Sequence, residues 1–257
     1  MHILSQNYYM QTPRHLFAAT LQRLLSTLLP GICALCRQEA SNTLCAACQE
    51  RYFVTHSTRC QQCALTLPPQ AASPVCGDCL QHPPAFDQTI TVCDYAPPQD
   101  QLVLALKFGH QLAVANLCSA LLRDAILSQQ TTSLPDLLCV VPLSNQRLAE
   151  RGFNQSVEIA RPLAQQLGIP LHVTMLKRTR DTLQQSSLPP DARKHNVRQA
   201  FTIDTNALEL IQGAHIAVID DVITTGMTLH EIATMLKRFG AAKITNYVFA
   251  RTPPHFS

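Results

Sequence analysis

One stretch, His215–Phe239, constrains the fold of this chain of 257 residues more than any other. It reads HIAVIDDVITTGMTLHEIATMLKRF. The apolar run 216–219 has the length of a buried parallel strand, and from Leu229 apolar residues recur at i, i+3, i+4 and i+7, on one face of a helix. Gly240 stands where a glycine commonly ends a helix. The pattern predicts a strand, a short turn and a helix, as in an α/β domain.

The turn between this strand and this helix carries the residues of an anion site. Asp220 and Asp221 come directly after the apolar run. The turn that follows contains Thr224, Thr225, Gly226, Met227 and Thr228. N–H groups at a helix start are unpaired and the helix dipole favours negative charge there, so the turn suits a phosphate. Because carboxylates repel a phosphate, the aspartates suit a sugar diol or a hydrated Mg²⁺ instead. A phosphate, a ribose diol and a metal ion together describe phosphoribosyl pyrophosphate (PRPP).

The segment VIDDVITTGMTL resembles the PRPP-binding motif of type I phosphoribosyltransferases, in which apolar residues precede two acids, two variable residues and T-T/S-G-x-T. The pattern is long and mixed in character, which favours this interpretation over an ordinary strand, turn and helix with two exposed acids. A Walker A loop is excluded because no Gly-Lys-Ser/Thr follows the glycine. Met227 stands where many relatives have a small residue. The position contributes its backbone N–H, so we expect binding to survive there.

Eight of the eleven cysteines form four C-x-x-C pairs in the first third of the chain. The pairs are Cys33/Cys36, Cys45/Cys48, Cys60/Cys63 and Cys76/Cys79. Two such pairs can close a structural, tetrahedral Zn²⁺ site. Pairing in sequence order closes the smaller loops and predicts two successive sites, while pairing the first with the third and the second with the fourth stays open. The redox alternative lacks the strand-then-helix context of a C-x-x-C oxidoreductase.

The cysteines also bear on the compartment. A secreted disulfide framework would leave an odd cysteine and would need a signal peptide, whereas residues 15–29 predict an amphipathic helix within a leader of residues 1–29. Cys93, Cys118 and Cys139 have apolar surroundings typical of core positions. We therefore expect a protein of the reducing cytoplasm. We expect no membrane span, because no apolar run reaches about 18 residues.

Three cations are candidate phosphate ligands. A predicted strand over 137–141 is followed by a polar loop, 144–155, that contains Arg147 and Arg151. Ligands bind at the carboxyl ends of parallel strands, and guanidinium groups match phosphate oxygens, which favours a pyrophosphate contact over a basic surface loop. Lys107 lies where two predicted helices within 101–127 are interrupted. A phosphate contact and a solvated surface lysine both stay open for it.

The periodicity along the chain predicts three parts: the leader, a cysteine module over 30–82, and an α/β domain over 83–257 with a mainly parallel sheet and helices on both faces. The predicted strands lie near 90–95, 138–141, 171–175, 201–203, 216–219 and 244–249. A long polar insert from Arg178 to about 200, read as RTRDTLQQSSLPPDARKHNVRQA, separates two of these strands and predicts a functional lid.

Taken together, these motifs resemble the ComF/GntX family over about residues 30–252. The motifs that carry the resemblance are the paired cysteines, LKFGH, the run Arg151-Gly152-Phe153-Asn154-Gln155-Ser156, and a spaced set of Thr182, Gln185, Leu188, Arg193 and Asn196. The resemblance implies a phosphoribosyltransferase-like domain behind a double zinc ribbon. It further implies a link to DNA uptake, natural competence and the use of DNA as a nutrient.

The resemblance also implies roles for individual residues. Asp220 and Asp221 would hold the ribose 2- and 3-hydroxyls and the surroundings of Mg²⁺, while the turn 224–228 would cradle the 5-phosphate. If transfer occurs, Arg151 would join Mg²⁺ in stabilising the pyrophosphate that leaves. Arg147 and Lys107 would bind the same ligand.

Two functions of different classes follow. The first is a protein that binds PRPP with Mg²⁺ and acts in DNA uptake and utilisation, with single-stranded DNA and the DNA-uptake machinery as partners. The basic residues available for DNA are Arg178, Arg180, Arg193, Lys194 and Arg198.

The alternative is an active amidophosphoribosyltransferase-type or base phosphoribosyltransferase in nucleotide metabolism. Glutamine use is disfavoured because the chain does not begin with a glutaminase cysteine. A PRPP-sensing regulator would need a DNA-recognition helix, which the sequence does not predict.

Overall fold

The structure is a computed structural model that describes residues 31–54, 57–108, 112–129, 133–179 and 200–253. The predicted leader, 1–29, lies outside these residues. So do the break at Gly109 and His110, and most of the predicted lid, 180–199, with its candidate DNA and family residues.

Strands and helices alternate along the described chain. The strands are β1 (Gly31–Ile32), β2 (Glu39–Ala40), β3 (Gln88–Asp94), β4 (Leu137–Val140), β5 (Leu171–His172), β6 (Leu176–Arg178), β7 (Phe201–Ile203), β8 (His215–Ile223) and β9 (Lys243–Arg251). The helices are α1 (Ala46–Phe53), α2 (Gly77–Gln81), α3 (Asp100–Phe108), α4 (Leu112–Leu127), α5 (Asn145–Arg151), α6 (Gln155–Leu167), α7 (Leu208–Ile211) and α8 (Met227–Arg238), with a 3₁₀ turn at Thr205–Ala207. In these ranges, none of the helices is both long and apolar enough to cross a membrane.

A five-stranded parallel sheet in the order β3-β9-β8-β4-β5 forms the centre of the molecule. Its alternating residues pack into two cores, one on each face. One core joins the sheet to α3, α4 and α6, and the other joins it to α7 and α8. The prediction of a parallel α/β sheet with helices on both faces is therefore confirmed. Because every strand runs the same way, all five carboxyl ends meet at one edge.

The strand β8 is longer than its apolar run predicts. Residues 216–219 are fully buried, but pairing with β9 continues past them, with Asp220 opposite Val248 and Ile223 opposite Arg251. The acid pair therefore lies within the end of the strand rather than in the turn. Backbone hydrogen bonds on the β9 side fix its position.

The predicted polar loop 144–155 contains the helix α5, so that part of the prediction is wrong. The Ser144 hydroxyl caps the helix by accepting a hydrogen bond from Arg147 N–H, and Gly152 ends it in the left-handed conformation with φ of 75°. None of its residues is buried. A helix without an apolar face gives no hydrophobic period, and only the cap residues signal it.

For two of the predicted strands, the length or the sheet to which the strand belongs differs from the prediction. The segment predicted as one strand near 171–175 contributes only β5 to the parallel sheet. The following strand, β6, pairs antiparallel with β7 in a separate two-stranded sheet. The strand near 201–203 therefore does not rejoin the main sheet. Both strands of this pair are three residues long, so their sequence carries little information about their partner.

The cysteine module consists of β1, β2, α1 and α2. Its first half shares a core with the α/β domain, since Cys33, Leu35, Leu44 and Cys48 belong to the same buried cluster as the sheet. The second half has a small cluster of its own, built from Cys60, Leu67, Cys76 and Cys79.

Candidate functional site

A cavity of about 380 Å³ opens at the carboxyl edge of the parallel sheet. It is lined by Tyr95, Lys107, Val141, Pro142, Leu143, Arg147, Arg151, Gln155, Arg178, Asp220, Asp221, Val222, Ile223, Thr224, Gly226, Met227, Thr228, Leu229 and Thr252. Nine of the ten residues that sequence analysis assigned to catalysis or ligand binding are in this set. The exception is Thr225, which is exposed and whose hydroxyl accepts a long hydrogen bond from Met227 N–H at 3.5 Å.

The acid pair occupies the middle of the cavity. The Ser156 hydroxyl donates to Asp220 Oδ1 at 3.1 Å, and the backbone N–H of Asp221 donates to the same oxygen at 2.9 Å. Burial, together with the neighbouring charge of Asp221, nevertheless raises the pKa of Asp220 to about 8. Burial and the adjacent carboxylate therefore favour the protonated form of Asp220.

The other member of the pair, Asp221, lies against Lys107. The Nζ atom of this residue is 2.9 Å from Asp221 Oδ2, and the two side chains are only 21% and 14% exposed. Of the two interpretations left open by the sequence, the solvated surface lysine does not describe this side chain. In the described structure Lys107 contacts the carboxylate to which the resemblance assigns the ribose and the metal ion.

The turn after β8 has the geometry of an anion cradle. Gly226 stands directly before α8 with φ of 78°, a left-handed conformation that glycine adopts without strain. The start of this twelve-residue helix faces the cavity through Met227 and Thr228. The dipole of this helix favours a negatively charged group at this point.

Arginines line the cavity together with the acids. Arg147 and Arg151 lie on α5, and Nη1 of Arg151 donates to Gln155 Oε1 at 3.2 Å. Arg178, which the sequence analysis assigned to the predicted lid and to the DNA contacts, also lines the cavity, with its guanidinium 5.5 Å from the centre of the Phe201 ring. The cavity thus combines a carboxylate pair with a set of cations that match phosphate oxygens.

Several cavity residues were not assigned a role from the sequence. Tyr95 and Thr252 directly follow β3 and β9, and Gln155 begins α6. Gln155 is 2% exposed, and within the described residues its Nε2 has no hydrogen-bond partner, so it is a buried donor at the cavity. For Tyr95 and Thr252 the signal in the sequence was position, since the residues just after parallel strands lie at the binding edge.

The eight paired cysteines form two compact groups in sequence order, Cys33/Cys36/Cys45/Cys48 and Cys60/Cys63/Cys76/Cys79. In each group the sulfur atoms lie within 4.8 Å of one another. The distance from Cys36 Sγ to Cys45 Sγ is 3.8 Å and that from Cys63 Sγ to Cys76 Sγ is 3.6 Å. Zn–S bonds of about 2.3 Å in a tetrahedron place sulfurs about 3.8 Å apart, so both groups fit Zn²⁺. The crossed pairing is ruled out by this arrangement.

Backbone N–H groups donate hydrogen bonds to sulfur atoms in both cysteine groups. Cys76 N–H donates to Cys60 Sγ at 3.2 Å, and Cys48 N–H donates to Cys45 Sγ at 3.4 Å. The Cys63 thiol, followed by nearby backbone N–H groups, lowers the pKa of Cys60 to about 4 against the opposing effect of burial. A thiolate is the form that binds zinc.

The second cysteine group is attached to the sheet near the cavity. Nη1 of Arg59 lies 2.7 Å from Asp94 Oδ1 at the end of β3, and Thr89 N–H donates to Gln61 O at 3.1 Å. Nε of Arg251, the last residue of β9, donates to Cys63 O at 3.0 Å. The second zinc ribbon therefore lies along β3 and reaches the carboxyl edge of the sheet at Asp94 and Arg251.

Comparisons with known proteins agree with this two-part architecture. Residues 154–254 match the family model described as phosphoribosyl transferase domain, and residues 24–80 match the double zinc ribbon domain. The DNA utilization protein YhgH of Escherichia coli (strain K12) is 38% identical over 230 residues, which cover 87% of this chain and 98% of that protein. Competence protein F of Haemophilus influenzae (strain ATCC 51907 / DSM 11121 / KW20 / Rd) is 32% identical over 226 residues, covering 85% of this chain and 96% of that protein. Competence protein ComFC of Bacillus subtilis (strain 168) is 26% identical over 219 residues, covering 81% and 84%.

The similarity to the first two proteins extends over nearly their whole length, so it includes the cysteine module, the cavity and the sheet together. The resemblance first seen in short motifs therefore applies to the chain as a whole. This chain belongs to the ComF/GntX family, the group of DNA-utilisation and competence proteins in which a double zinc ribbon precedes a phosphoribosyltransferase domain.

Proposed function

We propose that this protein binds PRPP with Mg²⁺ in the cavity at the carboxyl edge of its sheet and acts in DNA uptake and utilisation. One observation supports PRPP as the ligand: a carboxylate pair, a glycine-containing helix start and arginines line a single cavity of about 380 Å³. No smaller part of this set would favour a ligand that has a phosphate, a diol and a pyrophosphate at once. The cellular role follows from the names of the relatives.

Each part of the ligand has a chemically matched part of the cavity. The 5-phosphate accepts hydrogen bonds at the start of α8, around Gly226 and Thr228. The ribose diol and the hydrated metal ion bind at the acid pair, and the pyrophosphate binds Arg147 and Arg151. Mg²⁺ supplies charge neutralisation of the pyrophosphate when bound.

Binding of this ligand changes the contacts of the acid pair. Lys107 pairs with Asp221, and burial favours the protonated form of Asp220. Coordination of a metal ion favours the carboxylate form, so metal binding is accompanied by release of the proton that Asp220 holds. Lys107 is then released from its ion pair and becomes available to the pyrophosphate.

Calorimetric titration of the zinc-loaded protein with PRPP and Mg²⁺ tests the ligand. Binding by the wild type and its loss in Asp220→Ala/Asp221→Ala is the expected result. Asp124→Ala is the matched control, because this aspartate is exposed on α4 and pairs with Arg123. An unchanged affinity in the double variant, or no binding by the wild type at pH 7 to 9, would refute the proposal.

The same samples distinguish binding from turnover. The alternative function, an amidophosphoribosyltransferase-type or base phosphoribosyltransferase, requires pyrophosphate release in the presence of an amine or base acceptor. Within the described residues the buried Nε2 of Gln155 has no acceptor, so it can donate to an oxygen of the ligand or of an acceptor substrate. Release that depends on the acceptor and is lost in Asp220→Ala/Asp221→Ala would favour the enzyme.

The proposed DNA partner has a separate test. Arg178 lines the cavity and begins a basic segment of the sequence. A single-stranded oligonucleotide held through its phosphates must bind more weakly as salt rises, with a linear dependence of log affinity on log salt. A flat salt response would rule out a phosphate-based DNA site.

A further inference from the structure

One side chain, Arg251, connects the second zinc ribbon to the turn at the start of α8. Its Nε donates to Cys63 O at 3.0 Å. Its Nη1 donates to Ile223 O at 3.3 Å, to Thr252 O at 2.8 Å, and at short range to Thr224 O. A single guanidinium group therefore contacts both a predicted zinc ligand and the first threonine of the phosphate turn.

The connection is rigid for two reasons. A guanidinium group presents its donors in a fixed planar fork, so displacement of one acceptor reorients the donors that face the others. All four acceptors are backbone carbonyls, which move only with the main chain. In the part of the chain that the structure describes, Arg251 forms no ion pair, and carbonyls are its partners.

At the turn, the hydrogen bond from Arg251 to Thr224 O fixes the orientation of one peptide plane. The carbonyl of Thr224 and the N–H of Thr225 belong to the same planar peptide unit and point in opposite directions. Holding the carbonyl on Arg251 therefore fixes the direction of the first N–H group of the turn. The position of Gly226 and the start of α8 follow directly from it.

At the zinc end, the same contact depends on the metal. The second ribbon has only a small cluster of its own, and metal binding supplies the folding energy of such modules. Cys63 is one of the four sulfur donors of that site. Loss of zinc frees the Cys60–Cys63 pair, and with it the carbonyl that anchors Arg251.

We infer that Arg251 is a positioning residue that couples zinc at the Cys60/Cys63/Cys76/Cys79 site to the conformation of the turn 224–228. Zinc in the second ribbon and a phosphoribosyl ligand in the cavity then favour each other's binding, and the coupling is reciprocal. The first ribbon, whose cysteines belong to the core on one face of the sheet, lacks this connection to the turn in the described structure. The identity of the ligand rests on the proposed function, whereas the coupling of zinc to the turn does not.

The test uses the full zinc-loaded chain as wild type, Arg251→Gln and Arg251→Lys. Arg123→Gln is the matched control, since this exposed arginine on α4 pairs with its neighbour Asp124. Amide hydrogen exchange of the peptide over 224–228 and zinc release to a chromogenic chelator are measured without ligand. Alkylation of freed thiols followed by mass mapping identifies which cysteine group has opened. Calorimetry with PRPP and Mg²⁺ follows on the same proteins.

We expect faster exchange at the turn and about fivefold faster zinc loss from the second ribbon in Arg251→Gln, with the first ribbon unchanged. Arg251→Lys should resemble Arg251→Gln, because a lysine keeps the charge but lacks the fork. In the wild type, PRPP should slow zinc loss from the second ribbon by a similar factor, and Arg251→Gln should abolish that effect. Turn exchange and zinc release equal to those of Arg123→Gln would overturn the inference. Absence of PRPP binding in the wild type would instead remove the proposed function and leave the exchange result to decide the coupling.

Discussion

Replacing Asp220 by asparagine should stabilise the protein in the absence of ligand while removing a proposed metal ligand. The pKa of this carboxyl is raised from 3.8 to about 8 by burial and by Asp221. Between those two pH values the folded state binds a proton that the unfolded state has released, so the free energy of unfolding falls as pH rises. Asparagine has the same shape, its amide oxygen accepts from Ser156 and Asp221 as the carboxylate does, and it has no charge to desolvate.

The magnitude follows from the shift and from the position of the side chain. A shift of roughly four pKa units corresponds to at most about 5–6 kcal/mol at about 1.4 kcal/mol per unit. Asp220 is only partly buried and lines an open cavity, so solvent screens its charge and makes the effective shift smaller than this upper limit; we expect about 1–2 kcal/mol at pH 8. For a chain of this size, that amounts to roughly 2–8 °C in Tm.

Thermal unfolding of wild type and Asp220→Asn, with zinc present and at intervals from pH 4.5 to 8.5, measures the effect. The Tm of the variant should exceed that of the wild type by an amount that grows with pH. Asp124→Asn is the control, and its difference from wild type should stay constant over this range. A gap that is absent, or that shrinks as pH rises, would show that Asp220 is not held protonated by its surroundings.

Three further predictions follow from neighbouring contacts. Ser156→Ala removes a hydrogen bond that lowers the pKa of Asp220, so affinity for PRPP with Mg²⁺ should fall about fivefold at pH 7 and less at pH 9, as measured by calorimetry at both pH values. Lys107→Met frees Asp221 from its ion pair, so affinity for Mg²⁺ alone should rise a fewfold in a magnesium titration, and a decrease would contradict competition between the two cations. Gly226→Ala should lower the free energy of unfolding, measured in urea, by about 1 kcal/mol, because the φ of 78° strains any residue with a side chain. A Cβ atom at this position would lie at an ordinary 3.6 Å from Ile223 Cδ1, so no clash contributes, and an unchanged urea midpoint would contradict the prediction.

The features that the sequence predicted well are local in the chain. The strand β8 and the helix α8 follow from hydrophobic periodicity, and the two cysteine groups follow from short spacings that favour pairing in order. The helix α5 was missed because no side chain on it is buried. The antiparallel pairing of β6 with β7 was missed because a partner cannot be read from strands of three residues.

The contacts that tune the site are distant in the chain and could not be predicted. Ser156 and Asp220 are 64 positions apart, and Cys63 and Arg251 are 188 positions apart. The members of each pair belong to different segments of the chain, and only the fold brings them together. The sequence analysis identified the motifs that contain Asp220 and Cys63, but their hydrogen-bond partners required the fold.

The contacts of the acid pair explain how two adjacent carboxylates are tolerated beside the start of α8. Burial and Asp221 favour the protonated form of Asp220, and Lys107 pairs with Asp221, so the charge of the pair is compensated. A divalent cation can replace both the proton and the lysine at once, whereas a phosphate alone can replace neither. If the cavity binds PRPP with Mg²⁺, as we propose, then free phosphate without the metal ion should compete poorly with PRPP and Mg²⁺.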